Sequence, residues 1–255
     1  SLIGLVPPEG AEAVAKAARM LGAQKVSELL NLIPKNRAGA VFDAVYRSGL
    51  PKLEKALKAG ISSDKLAGVC RAMAGNDADE VLNLVKQYNR QNQGFISQSI
   101  EAADVESTRL AIGLGAKASD IAELAKVIKK RKFPRASKAF SLGVPAHCLD
   151  DAAVTAGGSG RVDAMKKALD IGVPSQHAAS AGEAISISGA PAVSGVLKGV
   201  PAHYHGAVAS AIVQAGIESV RIALNLGVPV EHIVPVALEL KGCSKEDIVK
   251  RLGDK

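Results

Sequence analysis

The chain has 255 residues, 32 Lys and Arg against 25 Asp and Glu for a formal net charge of +7, and 47% apolar residues, yet 3% aromatic residues and no Trp. So few aromatics argue against a base-stacking platform for single-stranded nucleic acid. No apolar run approaches the roughly 18 residues of a membrane-spanning helix, and no secretory leader is visible.

Read from the start, the chain repeats itself with a period of about 28 residues. The units run approximately over 6–33, 34–60, 61–88, 89–115, 116–143, 144–172, 173–199, 200–227 and 228–253. The clearest marker is an apolar helix end followed by Gly-Val-Pro, as Gly143-Val144-Pro145, Gly172-Val173-Pro174, Gly199-Val200-Pro201 and Gly227-Val228-Pro229. Gly115 and Gly60 hold the same place in earlier units, Tyr88 and Ile33 substitute for it, and Gly253 closes the last unit. Residues 1–5 look like the tail of a preceding unit, so the array is expected to belong to a longer protein.

Each unit reads as two helices, here A and B. The glycine suits the left-handed position that ends helix B, and the proline two residues on suits the first turn of the next helix A. Four residues before the closing glycine stands a small residue (Ala56, Ala111, Ala139, Ala168, Gly195, Ala223), followed by a bulky one (Leu57, Ile112, Phe140, Leu169, Val196, Leu224). The expectation is that the small residue admits a neighbouring helix and the bulky one fills the core. Helix A is expected over Ser119–Lys130 and Ala202–Ala215, ending near Gly22, Gly49, Asn76, Gly189, Gly216 and Gly242. Asp77 with Glu80, and Ser244 with Asp247, have capping-box spacing for the start of helix B. Strand patterns are missing. The expected fold is all-α, a single α-solenoid of about nine two-helix repeats over 1–255 with no sheet.

The segment Gly216–Val228, Gly-Ile-Glu-Ser-Val-Arg-Ile-Ala-Leu-Asn-Leu-Gly-Val, resembles the second helix of an ankyrin repeat. The resemblance covers that half alone: the Thr-Pro-Leu-His opening does not occur, and the period is about five residues shorter. The alternation of helix, glycine-containing turn and helix also resembles TAL-effector arrays, in which a variable residue pair in the turn reads one base per repeat. Here the turns (Gly157-Gly158-Ser159-Gly160, Gly189-Ala190, Gly216-Ile217) lie in units that vary everywhere, so no base-reading code is implied. No functional residue is carried over from either family.

Positive charge is uneven, with 22 Lys and Arg against 14 Asp and Glu in residues 1–138, and 10 against 11 in residues 139–255. The densest cluster is Lys126, Lys129, Lys130, Arg131, Lys132, Arg135 and Lys138, while Lys52, Lys55 and Lys58 recur at helical spacing. These ten residues are the candidate polyanion-binding surface, against the alternative of a solvated edge. All five histidines (His147, His177, His203, His205, His232) fall at starts of helix A in the last four units. Neighbouring units are too far apart for them to share a metal ion, so edge positions, with some scope for a pH-sensitive edge, are the expectation. Cys70, Cys148 and Cys243 lack metal-ligand spacing and read as small core residues of a reducing compartment. Asp150-Asp151 diverge on a helix, and Gly157–Gly160 lacks the Gly-Lys-Ser/Thr of a P-loop.

No catalytic constellation, cofactor site or metal site is expected. The leading functional expectation is a non-catalytic protein-interaction scaffold whose partner lies along the inner face of the array. The alternative is sequence-tolerant nucleic-acid or other polyanion binding through the basic N-terminal half. The expected location is the cytoplasm, of the producing cell or of another cell into which the protein is delivered.

Overall fold

A computed structural model describes residue 4 and residues 6–158 and 160–243. Among the described residues the fold is entirely helical, with no strand. Gly253 and the Ser244–Asp247 capping pattern lie outside the described residues. The chain packs as two compact units, residues 1–130 and 131–255.

In the first unit the A helices are α1 (Pro8–Leu21), α3 (Lys35–Ser48), α5 (Leu66–Ala74) and α7 (Gln93–Ala102), and the B helices are α2 (Ala23–Leu30), α4 (Leu50–Lys58), α6 (Ala78–Lys86) and α8 (Val105–Gly113). α9 (Ile121–Arg131) ends at the division. In the second unit the B helices are α10 (Phe133–Ser141), α12 (Arg161–Asp170), α14 (Ala190–Leu197) and α16 (Ile217–Asn225). They alternate with the A helices α11 (Leu149–Thr155), α13 (Ala178–Ser188), α15 (His205–Ala215) and α17 (Ile233–Glu239). Inside each unit successive A helices pack along one another (α1 on α3 on α5 on α7; α11 on α13 on α15 on α17), whereas successive B helices touch at few points.

The closing phrase works through a Schellman turn. Gly60, Gly115, Gly143, Gly172 and Gly227 take φ from 71° to 87°, a left-handed conformation that a Cβ disfavours. The N–H of the following residue then donates to the carbonyl five residues back: Ile61 to Ala56 (3.2 Å), Ala116 to Ala111 (3.4 Å), Val173 to Ala168 (3.0 Å) and Val228 to Ala223 (3.1 Å). This is the hydrogen bond that satisfies an orphan carbonyl at a helix end. Val144, Val173 and Val200 are buried, so the residue after the glycine also plugs the core. The prolines sit one place earlier than expected. Pro145, Pro174, Pro201 and Pro229 cap a 3₁₀ turn with φ near −55° and extended ψ, and that turn leads into helix A. Helix A in the 200–227 unit is accordingly a 3₁₀ turn, Ala202–Tyr204, followed by α15.

Two expectations about helix B need correction. The small alanines (Ala56, Ala111, Ala139, Ala168, Ala223) are fully buried, but Leu57, Ile112, Phe140, Leu169 and Leu224 are only half-buried. The large core residues of this helix stand three places before the small one, as Leu53, Met165 and Val220 do. Gly195 is not the small core residue of α14 either: it is exposed, and Val196 fills the buried place. The register of helix B is set from the preceding turn glycine. Counted from Gly189 and Gly216, Val196 and Ala223 both fall seven residues on.

The A-to-B turn has more than one solution. Gly22, Gly49, Gly189 and Gly216 adopt φ 82–91° with ψ 145–152°, a region open essentially to glycine. At two turns without that glycine an aspartate caps helix B. Asp77 accepts from the Asp79 and Glu80 N–H groups at 2.9 and 3.0 Å, and Asp104 from the Ser107 N–H at 2.7 Å. The backbone hydrogen bond from Glu80 holds the Asp77 carboxyl below its ordinary pKa.

Close approach of the A helices rests on small residues spaced 29 apart, at Gly10, Gly39, Gly68 and Ser97. A Cβ on Gly39 would lie 2.5 Å from Gly10 Cα, and one on Gly68 would lie 3.0 Å from Ser97 Oγ. Alanine favours helices over glycine by about 1 kcal/mol, but the backbone contact must open to admit it. Gly39→Ala is therefore expected to destabilise the protein by about 1–3 kcal/mol, measured by urea unfolding.

Candidate functional site

Four of the ten basic residues, Lys52, Lys55, Lys129 and Arg131, are engaged by a neighbouring repeat. Lys52 in α4 donates to the Met73 carbonyl and, at 3.5 Å, to the Ala74 carbonyl at the end of α5. Lys55 pairs with Asp79 at 2.6 Å, at the start of α6. Lys129 donates to the Ala103 carbonyl at 2.5 Å beyond the end of α7 and lies 3.7 Å from Asp104. Lys241 makes the same kind of contact with the Gln214 carbonyl, 2.8 Å, at the end of α15. A helix C-terminus carries unpaired carbonyls and partial negative charge. These lysines satisfy it from an adjacent repeat, Lys52 from the preceding one and Lys129 and Lys241 from the following one.

Arg131 grips Asp150 with two donors, Nε at 2.7 Å and Nη2 at 3.1 Å, a bidentate charge-assisted geometry. The hydrogen bond to Asp150 raises the Arg131 pKa above its ordinary value. The adjacent pair Asp150-Asp151 thus serves the first turn of α11, with Asp150 in an ion pair. Lys126 pairs with Glu123 at 2.7 Å within α9, and Lys130 is likewise engaged. Arg135 lies across the Gly157-Gly158 loop: a Cβ on Gly157 would meet its guanidinium carbon at 2.8 Å. Among the described residues Lys58, Lys132, Arg135 and Lys138 make no ion pair. The last three lie on or beside α10.

Division into units also changes the charge balance. Residues 1–130 hold 18 Lys and Arg against 14 Asp and Glu, and residues 131–255 hold 14 against 11. Half of the excess in residues 1–138 comes from including Arg131, Lys132, Arg135 and Lys138 of the α10 cluster. The structure brings Lys129 to the end of α7 and Arg131 to α11, while Lys52 and Lys55 reach separate ends of α5 and α6. Within the first unit, Lys52, Lys55 and Lys129 thus reach different helix ends.

Lys132 is the single non-glycine residue with positive φ among those described, at φ 72° and ψ 148°. It occupies the A-to-B turn that Gly22, Gly49, Gly189 and Gly216 fill elsewhere. Lys132→Gly is expected to stabilise the protein by about 1 kcal/mol, the lower end of the cost of such strain, read as a rise in urea midpoint with an unchanged slope.

The histidines lie in or next to the 3₁₀ turns that open helix A. His147, His203 and His232 are exposed. His205 is buried, with Nε2 3.0 Å from the Val200 carbonyl. His177 abuts Gly206, where a Cβ would lie 2.5 Å from its Nδ1. His177 Nε2 and His205 Nδ1 are both buried without a protein partner. Burial, reinforced by the nearby His205, lowers the His177 pKa from 6.5, opposed by a hydrogen bond with the His203 backbone. A histidine whose folded pKa is depressed favours the folded state above the unfolded pKa and loses that stability as pH falls. Stability is thus expected to decline as pH drops below about 6.5, and His177→Gln should flatten this decline in thermal melts taken from pH 7.5 to 5.

Among the described residues no three His, Cys, Asp or Glu side chains converge as a metal site. Cys70 is fully buried and its thiol is pushed up to about 12 by burial. Cys148 and Cys243 are only half-buried, so the core reading holds for Cys70 alone. No helix among the described residues is long and apolar enough to cross a membrane. No protein-family model matches this chain, and no curated protein matches it significantly.

Proposed function

We propose that the chain is a non-catalytic scaffold, an array of two-helix repeats that binds a protein partner along its row of A helices. The observation that carries this reading is a recurrent exposed apolar residue in the final turn of A helices. Met20 and Tyr46 hold this place in the first unit, and Val154, Ile187 and Leu238 hold it in the second. Tyr46 is 66% and Ile187 61% exposed. Aromatic and aliphatic side chains presented at repeated positions are the anchors protein interfaces use. Within each unit the A helices approach one another more closely than the B helices do, so they form its more tightly packed row.

The alternative is a polyanion surface. Lys58, Lys132, Arg135 and Lys138 favour it, since they lack ion-pair partners and three of them cluster at α10. The engagement of Lys52, Lys55, Lys129 and Arg131 by neighbouring helices weighs against it.

The decisive experiment compares the chain with Tyr46→Glu and Ile187→Glu variants. A protein captured by affinity purification is reconstituted from purified components and measured by size-exclusion chromatography with light scattering. A stoichiometric complex weakened at least tenfold by either substitution is the expected result. Fluorescence anisotropy with duplex DNA and RNA at two salt concentrations is the counter-test. Micromolar, steeply salt-dependent binding that disappears when Lys132, Arg135 and Lys138 become Glu would replace the scaffold by the polyanion reading.

A further inference from the structure

α14 and α16 leave a groove of about 430 Å³ between them, within the range of ligand-binding clefts. Its floor is made by Gly195 and Gly199, its apolar walls include Val196 and Leu224, and its polar rim is Arg221 and Asn225. Neither glycine is demanded by the backbone. Both lack the positive φ of the other turn glycines, and a Cβ at either would meet nothing within 4 Å. Glycine within a helix costs about 0.5–1 kcal/mol relative to alanine, so Gly195 is a poor choice for folding alone. Counted from the turn, the same two places hold Lys55 and Ala59 in one repeat, Lys138 and Leu142 in another, and Ile222 and Leu226 in the next. Here Gly195 in α14 and Gly199, two residues beyond its end, carry no side chain.

Their absence exposes backbone. The Lys198 N–H donates to the Ser194 carbonyl and the Val200 N–H to the Leu197 carbonyl, each at 3.0 Å. Among the described residues, the Gly195 and Val196 carbonyls and the Gly199 N–H have no backbone partner. Beside them Arg221 spends Nη1 on Glu218 at 2.8 Å, and its Nε and Nη2 have no described partner. The groove is thus lined by two glycines, Val196, Leu224 and a guanidinium, where two carbonyls and one N–H lack a backbone partner.

We propose that this groove binds an extended peptide segment of a partner protein that carries an acidic side chain beside a small aliphatic one. The glycines let the peptide backbone approach the Gly195 and Val196 carbonyls, Arg221 pairs with the carboxylate, and the aliphatic side chain seats between Val196 and Leu224. The complementarity of charge and the exposed backbone select a peptide over a lipid or a nucleic acid, whose phosphates would meet only one cation here. This rests on the protein-interaction reading and names a second contact, apart from the A-helix residues.

The test uses phage-displayed random nonapeptides selected on the full chain. Enriched peptides are then measured by fluorescence anisotropy against the wild type, Arg221→Glu and Gly195→Leu. The leucine enters open space, so circular dichroism melts should show both variants folded. The expected result is enrichment of Asp or Glu beside a small aliphatic residue, with affinity reduced at least tenfold in each variant. Binding within twofold of wild type in both folded variants overturns the groove. So does a failure to enrich any peptide. In either case a stoichiometric complex that still depends on Tyr46 and Ile187 leaves the scaffold reading standing. Sodium succinate binding within twofold of the peptides' affinity, and lost in Arg221→Glu, overturns the peptide in favour of a small dicarboxylate.

Discussion

The tightest constraint in the first unit is the meeting of one A helix with the next. Gly39 lies so close to Gly10 that a single methyl group would reach backbone, and Gly68 lies nearly as close to Ser97. Helices in ordinary contact stand about 8–10 Å apart; small residues at the crossing hold the pair at the near end. In the second unit glycines serve other contacts: Gly182 of α13 is pressed against Met165 of the B helix α12, backbone included, and Gly206 of α15 receives the His177 ring. Once the A helices are drawn together in this way, B helices joined through short turns are left on the more widely spaced row. That asymmetry makes the A row a surface of closely spaced, equivalent positions, and it makes any opening between B helices a place where a ligand can enter.

Turn chemistry is what keeps this spacing regular. Each helix end leaves carbonyls that must be satisfied, and the chain solves the problem in three ways. The closing glycine turns donate from the next residue back to the buried alanine. At two A-to-B turns that lack a glycine, aspartates satisfy N–H groups. Lysines from adjacent repeats, Lys52, Lys129 and Lys241, cover the carbonyl ends of A helices. A basic composition in such a protein is therefore partly a structural requirement. It fixes repeat to repeat before any charge is left for a ligand.

The helical class and the glycine turns were legible because they depend on residues adjacent in sequence. Gly-Val-Pro encodes a left-handed helix end, a core plug and an extended cap within three residues. The destinations of the lysines were not legible: Lys52 reaches Met73, and Lys129 reaches Ala103, across more than twenty residues whose spacing only the packed helices define. Gly195 was misplaced for a related reason. Counting back from Gly199 assumes that every helix B has the same length, whereas the register runs forward from Gly189. Lys132 gives no sequence signal of strain, because a lysine beside other basic residues looks like surface charge until its φ is known. Charge clustering in sequence thus does not tell which of these residues a neighbouring helix engages.

A one-residue change in one repeat carries a large structural consequence. From Gly216 to Pro229 there are thirteen residues, and from Gly189 to Pro201 there are twelve. The missing residue removes the Schellman turn: Val200 donates to Leu197 where Val228 donates to Ala223. Gly199 then has no left-handed φ to justify it. Freed from that role, the position tolerates any side chain, yet it stays glycine, and Gly195 one helical turn earlier does too. Gly75 and Gly113 likewise have neither a positive φ nor a neighbour within 4 Å of a Cβ; what sets Gly195 and Gly199 apart is that both line one groove beside Arg221.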